Sequence, residues 1–464
     1  MKRKVALIGA GIAALGCAVS LKEQGIDFII FEKGRLPGGK IVTEKFDNLL
    51  VEGGPDSYLP EKYWSVELIK KVGLEGEMLC TNDEYKGTYI YSRGRLHPLP
   101  EGVMLMVPTM ITPLVKSTLL SWPGKIRMGL ELFVPPKKDL SDESLAQFVT
   151  RRLGRECLEL IAEPLVAGIH TSNPDNMSVL ATFPRFAEME RKYGSLIRGI
   201  LRARKQGNRN FVTSQKMTYF MSLREGMYEL VRAAVKFIGE ERVKTETTVV
   251  SVNKREGGYE VVCLDGTVYK CDAVVIATPS FVTAELIRGM DEELAEQLSQ
   301  IKWSSSATVS LAFRKKEMEG TLRGFGFIVP RREGRKINAC TYSSIKWSNR
   351  APEDVLLLRC FVGGGHHEEL VFCDDGELLE VVLAELREII GFKATPFFSR
   401  IYRWERGMPK YTVGHLERIS AVEERLKLYP GLYFIGSSYR GIGIGDCVRS
   451  GFVAAEEIRK AFLP

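Results

Sequence analysis

A chain of 464 residues exceeds one ordinary hydrophobic core and argues for two or three domains. Apolar residues make up 45% and charged residues 27%, a soluble globular balance, with no fixed-period repeat or low-complexity tract. The net charge of +7 is thinly spread, and neither zinc-finger spacing nor an RNA-recognition signature accompanies it, which argues against a nucleic-acid binder. The nine cysteines include no CxxC pair, so the chain reads as a protein of a reducing compartment without a disulfide framework. His366 and His367 are adjacent and point apart, so no metal is expected.

The N-terminus, MKRKVALIGAGIAALGC, imitates a secretory signal. The apolar run instead leads into a helix end at Leu21–Gly25 and a strand at Phe28–Phe31, so it reads as the start of a nucleotide fold. Lys4–Ile8 is predicted as a strand and Leu15–Lys22 as helix. Between them Gly9-Ala-Gly11-Ile-Ala-Ala14 is a G-x-G-x-x-A fingerprint. Gly9 serves the tight turn, Gly11 the close approach of a pyrophosphate, and Ala14 the close helix–strand contact. The anion then rests on the helix start, which includes Ile12 and Ala13. A second strand, DFIIFE, ends at Glu32, placed to accept hydrogen bonds from ribose hydroxyls, and Lys33 follows.

The next residues favour FAD over NAD. Gly38-Gly39-Lys40 offers a second glycine pair beside a cation, suited to a long cofactor gripped twice. In VEGGPDSYL, Gly54, Pro55, Asp56 and Ser57 lie where backbone would approach a flat ring or ribityl chain. Residues 245–279 read as strands with turns at Gly257-Gly258 and Asp265-Gly266, with Val249 near the adenine. They end in AVVIATP, which returns to the dinucleotide sheet. ATVSLAF and VLLLRCFV alternate as strands, and LLEVVLAELREII (378–390) is an amphipathic helix. Near the end a strand closes at Gly436, glycines 441, 443 and 445 form a loop with Ile442 and Ile444 between them, and a helix opens at FVAAEEI. That loop can aim amides at a redox ring and stabilise negative charge on its reduced form. Asp446 and Arg449 are expected to pair and fix the loop.

Together the GAGIAA, GGK, GGPDS, ATP and YRGIGIGDCVRSG segments resemble the porphyrinogen oxidases, within the monoamine-oxidase-like FAD superfamily. RLHPLPEG (95–102), EPLVAGIHTSNPDNMSVLATFP (163–184) and RWERGMPKYTVGH (403–415) strengthen the likeness, which covers nearly the whole chain and is nearest to the soluble bacterial type. The resemblance implies an α/β fold: a Rossmann-like FAD-binding domain from 1–90, 215–295 and 400–464, a mostly helical, membrane-facing insertion at 91–214, and a mixed-sheet substrate domain at 296–399. It implies FAD-dependent oxidation of coproporphyrinogen III or protoporphyrinogen IX in heme biosynthesis, by three two-electron transfers to flavin N5 with reoxidation by oxygen. It places Trp404 against the flavin and Gly168, Ile169 and His170 along the substrate cavity. It further implies a cytoplasmic protein, peripheral at the membrane, that hands its porphyrin to a ferrochelatase.

The sequence departs from the family at Gly445, where Pro is usual, and at His170, where an aromatic is common. A propionate-binding Arg of plant and mitochondrial relatives aligns with Thr88, leaving Lys86 and Arg95 as the cationic candidates for substrate carboxylates. Cys447 is expected not to attach the flavin covalently. The alternatives are an amine or carotenoid oxidase of the same superfamily, and a flavoprotein scaffold that passes porphyrin to a metal-inserting partner.

Overall fold

The computed structural model describes residues 3–104, 107–108, 110–139, 141–170, 172–205, 217–317, 322–391 and 393–462. The chain forms two compact units, Met1–Cys80 with Met217–Lys302 and Leu416–Pro464, and Thr81–Lys216 with Trp303–His415.

The first unit is organised by a five-stranded sheet in the order Val243–Lys244, Asp27–Phe31, Lys4–Ile8, Ala273–Ile276, Leu432–Phe434, with every pairing parallel. Parallel strands are buried on both faces, which is why KVALI, DFIIF and AVVI are nearly unbroken apolar runs. AVVI pairs directly with the first strand, Val5 opposite Ala273. The helix Ile12–Glu23 is apolar on all sides because it too is enclosed; Ala14, Leu15, Cys17 and Ala18 are fully buried. It begins at Ile12, three residues before the predicted start, and the second strand stops at Phe31, one residue before Glu32. Residues 249–271 form a three-stranded antiparallel sheet. Its first turn is centred one residue earlier than predicted, since Arg255 pairs with Gly258 and leaves Glu256-Gly257 at the tip.

The second unit holds a seven-stranded sheet in the order Phe398–Pro409, Trp303–Arg314, Val355–Gly363, Ala339–Tyr342, Gly326–Ile328, Tyr89–Ser92, Arg95–Pro98. Its pairings are antiparallel except Gly326–Ile328 with Tyr89–Ser92. The amphipathic helix runs Asp375–Ile390, capped by Asp374, and lays Leu378, Val382, Leu386 and Ile389 on one sheet face with Val309, Leu311 and Leu358. A second core, with Phe148, Leu160, Val166, Phe186 and Leu196, belongs to the helices. The sequence reading separated 91–214 from 296–399. The contacts join them, because the hairpin at 89–98 completes the edge of the seven-stranded sheet and its Ile90 enters the helical core.

Candidate functional site

The dinucleotide turn sits at the C-terminal end of the first strand. Gly9 adopts φ +91°, where an L side chain is strained, and donates its N–H to the Phe31 carbonyl at 2.7 Å. Gly11 is different. It is extended, opens the helix Ile12–Glu23 without any side-chain cap, and a Cβ added to it would meet nothing within 4 Å. Uncapped first-turn amides at Ile12, Ala13 and Ala14 beside open space make a cradle for an anion. The pyrophosphate of a dinucleotide fits it.

Glu32 Oε2 accepts the Ala10 N–H at 2.7 Å and Oε1 accepts the Gly34 N–H at 2.8 Å. The carboxylate expected at a ribose thus also shapes the turn, and its oxygens keep further lone pairs for hydroxyl donors. Lys33, beside it, is exposed. The Thr247 N–H reaches the Glu32 carbonyl at 2.9 Å, which brings half-buried Val249, two residues on, to the same end of the sheet.

The GGK segment folds back onto the turn. Gly38 bridges Gly11 and donates to the Ala10 carbonyl at 2.8 Å, and a Cβ on Gly39 would stand 3.4 Å from the Gly11 Cα. Behind it the Lys40 carbonyl lies so close to Gly54 that an added Cβ there would be 1.7 Å away. Burial lowers the Lys40 ammonium to about 8, with Cys447 the opposing influence. Pro55, Asp56 and Ser57 continue the strip, half-buried, with the Asp56 carbonyl accepting from Ser222 Oγ at 2.7 Å.

The C-terminal helix is Ile444–Phe462 and begins well before FVAAEEI. Gly445 and Gly451, expected as loop residues, are helical; each is small because another backbone lies against it. A Cβ on Gly451 would come 2.2 Å from the Ala13 carbonyl, and one on Gly445 would come 3.0 Å from the Lys62 carbonyl. A Cβ at Gly436 would likewise lie 3.9 Å from the Ala13 Cβ, and the Gly436 N–H donates to Ser450 Oγ at 3.1 Å. The last helix is therefore held directly against the opening turn of the first.

Asp446 fixes the loop, with a different partner from the one expected. Its carboxylate accepts the Gly443 N–H at 3.2 Å, occupies the space a side chain on Gly441 would need, and pairs with Lys62. Arg449, the expected partner, is exposed one turn further along the helix. Lys62 is 384 positions from Asp446 and carries no motif, so no sequence signal identifies it. Burial pushes the Cys447 thiol up to about 12, with Asp446 adding to the shift. A protonated thiol is a poor nucleophile, in keeping with non-covalent flavin binding.

In the second unit Gly168, Ile169 and His170 close the helix Glu163–His170, and their side chains lie outside the described residues. Trp404 is half-buried on the strand Phe398–Pro409, opposite Ser306 where the register shifts. Lys86 and Arg95 do not converge. Both are exposed, Arg95 next to the hairpin turn and Lys86 beyond the hairpin's open end.

Comparison with known proteins is consistent across the whole chain. The family described as flavin containing amine oxidoreductase matches residues 10–459. The chain is 34% identical to a coproporphyrinogen III oxidase of Bacillus subtilis, covering 98% of each chain, and 34% identical to one of Staphylococcus aureus, covering 99% of each. A crystal structure of an Exiguobacterium protein, provisionally named a protoporphyrinogen oxidase, superposes with a TM-score of 0.86 at 32% identity over 99% of both chains. Cyclohexylamine oxidase from Brevibacterium oxydans shares the fold, with a TM-score of 0.70 at 16% identity and 99% coverage of both chains.

Proposed function

This chain belongs to the flavin containing amine oxidoreductases, and on that premise we propose that it oxidises coproporphyrinogen III, in preference to protoporphyrinogen IX, to the aromatic porphyrin in heme biosynthesis. It is an FAD-dependent oxidoreductase. One observation carries the cofactor half of the reading: the uncapped helix start at Gly11, beside open space, has the last helix packed on its opening turn and the Gly38–Lys40 segment folded over it. The substrate half rests on full-length likeness to the two bacterial oxidases. When bound, FAD supplies the two-electron acceptor at N5 and passes the electrons to oxygen. The chain's own residues bind and orient. The Gly9–Ala14 turn and Glu32 hold the nucleotide, the Asp446–Lys62 pair sets the glycine loop whose amides face the ring, and protonated Cys447 leaves the ring unattached.

Anaerobic mixing with coproporphyrinogen III is expected to bleach the oxidised flavin absorbance. In air, kcat/KM should exceed that for protoporphyrinogen IX by about tenfold, a difference of about 1.4 kcal/mol in transition-state binding. A flavin bleached by amines and untouched by either porphyrinogen would assign the chain to the amine oxidases instead.

We further propose that this cytoplasmic protein touches the membrane surface. Along the helix Trp122–Gly129 and the turn Leu130–Phe133 that continues it, Trp122, Ile126, Leu130 and Phe133 are 63%, 61%, 48% and 77% exposed. They recur every three or four residues, as on one helix face, with the Lys125 ammonium 4.6 Å from the Trp122 ring. No helix among the described residues is long and apolar enough to cross a membrane, so contact would be superficial. Flotation with vesicles containing about 30% anionic lipid should carry the wild type upward and leave Trp122→Ser/Phe133→Ser behind. Wild-type protein that stays at the bottom of the gradient sinks the proposal.

A further inference from the structure

The seven-stranded sheet of the second unit has two unlike faces. Ala307, Val309, Leu311 and Phe313 enter the apolar core beneath the helix Asp375–Ile390, so Ser306, Thr308 and Ser310 occupy the opposite face. Ile401 packs toward the same core, which turns Arg400 and Tyr402 away from it. Leu358, Cys360 and Val362 do the same for Arg359 and Phe361.

The register then sets these residues in rows. Ser310 lies between Arg359 and Arg400, and Thr308 between Phe361 and Tyr402. On each outer strand the arginine lies over the aromatic two positions on: Arg359 Cζ is 5.0 Å from the Phe361 centroid and Arg400 Cζ is 5.3 Å from that of Tyr402. Two matching Arg–aromatic ledges thus bracket a line of hydroxyls. Their strands are separated by one intervening strand, or about 10 Å. Arg359 is 5% exposed, whereas Arg400 is exposed. A guanidinium brought into such surroundings is matched in geometry and charge to a carboxylate.

We propose that Arg359 and Arg400 are the carboxylate-binding pair of the substrate site, each taking a propionate of the tetrapyrrole while Phe361 and Tyr402 bear on the apolar macrocycle. The assignment rests on the porphyrinogen reading. It supplies what Lys86 and Arg95, at opposite ends of an edge hairpin, do not: two cations on one face. A substrate with carboxylates on successive pyrroles can meet both. A substrate with a single carboxylate meets one, so the pair selects for carboxylate-rich porphyrinogens.

The test measures dissociation constants of coproporphyrin III, the oxidised product, and of its tetramethyl ester, by fluorescence quenching on the FAD-loaded protein. Wild type should bind the free acid more tightly than the ester. Arg359→Met and Arg400→Met should each weaken the acid by roughly tenfold or more and change the ester by less than about threefold. Arg400→Lys, which keeps the charge, should recover part of the loss. Arg400 is exposed, so its variants decide the question even if Arg359→Met fails to fold. Wild type that binds the acid, with Arg400→Met binding it equally well, overturns the pair and leaves the function standing. Wild type that retains FAD yet neither binds coproporphyrin III nor oxidises coproporphyrinogen III overturns the porphyrinogen reading and the pair with it.

Discussion

Gly54→Ala is expected to give a protein that melts earlier and retains little FAD. The added Cβ would stand 1.7 Å from the Lys40 carbonyl oxygen and 2.9 Å from its carbon. Both are backbone atoms, so no side chain can swing away and the Lys40 segment itself must move. Overpacking against a rigid neighbour costs about 3 kcal/mol at the upper end of its usual range. The displaced segment is the one that folds over the anion cradle: Gly38 bridges Gly11, and Gly39 has room for no more than a 3.4 Å approach to it. The strain is therefore relieved partly by opening the site, and FAD affinity should fall by roughly 100-fold. Two companions separate causes. At Gly76 an added Cβ meets nothing within 4 Å, so Gly76→Ala should change stability by less than about 0.5 kcal/mol and leave FAD binding alone. At Gly11 the space is equally open in the protein, so Gly11→Ala should fold as the wild type does and still lose FAD, because the methyl group occupies the place of the pyrophosphate. Thermal melting of the deflavinated proteins and fluorescence titration with FAD report the two effects. Native FAD content and an unchanged melting temperature in Gly54→Ala would show that the Lys40 carbonyl does not lie where the structure has it.

The fingerprint at Gly9–Ala14 was legible because each of its demands is local. A turn, a close backbone approach and a helix start all fall within six consecutive residues, and the strands on either side announce themselves as apolar runs. Glu32 was equally legible in position, though its hold on the Ala10 and Gly34 amides could not be read from strand spacing alone. The opening of the last helix was misjudged. Glycine inside a helix is unfavourable on propensity, so Gly445 and Gly451 read as loop. Tertiary contact reverses that reading, since the Lys62 and Ala13 backbones leave room for nothing larger. The Asp446–Arg449 pairing failed for a related reason: spacing along a helix suggests a partner, but a cation from the helix Trp64–Lys71 region was nearer in space. Arg359 and Arg400 were invisible as a pair because sheet register, not sequence distance, places them on either side of Ser310. Local chemistry reads from a sequence. Pairings made by long-range folding do not, and here those include the residues proposed to choose the substrate.

Glu131→Gln is expected to destabilise the second unit by about 3–5 kcal/mol, the usual cost of leaving a buried ion without its partner. Glu131 and Arg152 are both fully buried and paired. The carboxylate does more than neutralise the guanidinium. It accepts from Ser195 Oγ at 2.6 Å and from the Leu196 and Ile197 amides at 2.9 and 3.3 Å, which cap the helix Leu196–Lys205. Arg152 in turn donates to the Val134 and Gly194 carbonyls at 2.9 and 3.2 Å. One apolar-sized volume thus ties three turns of chain to one helix, and the amide of Gln presents a donor where only acceptors are wanted. Burial already lowers the Arg152 guanidinium from its ordinary value, a sign that the charge is costly there without its partners. Glu131→Met/Arg152→Met removes both charges and should recover more than half of the loss, as an apolar pair of similar volume often does. Urea unfolding of the three proteins measures this, and a Glu131→Gln loss below about 1 kcal/mol would mean that the pair is solvated. The consequence reaches function through packing. Leu196 and Ile200 share a core with Val166, on the helix that ends at Gly168, Ile169 and His170. Loosening the capped helix should therefore lower porphyrinogen turnover while FAD, bound in the other unit, stays in place.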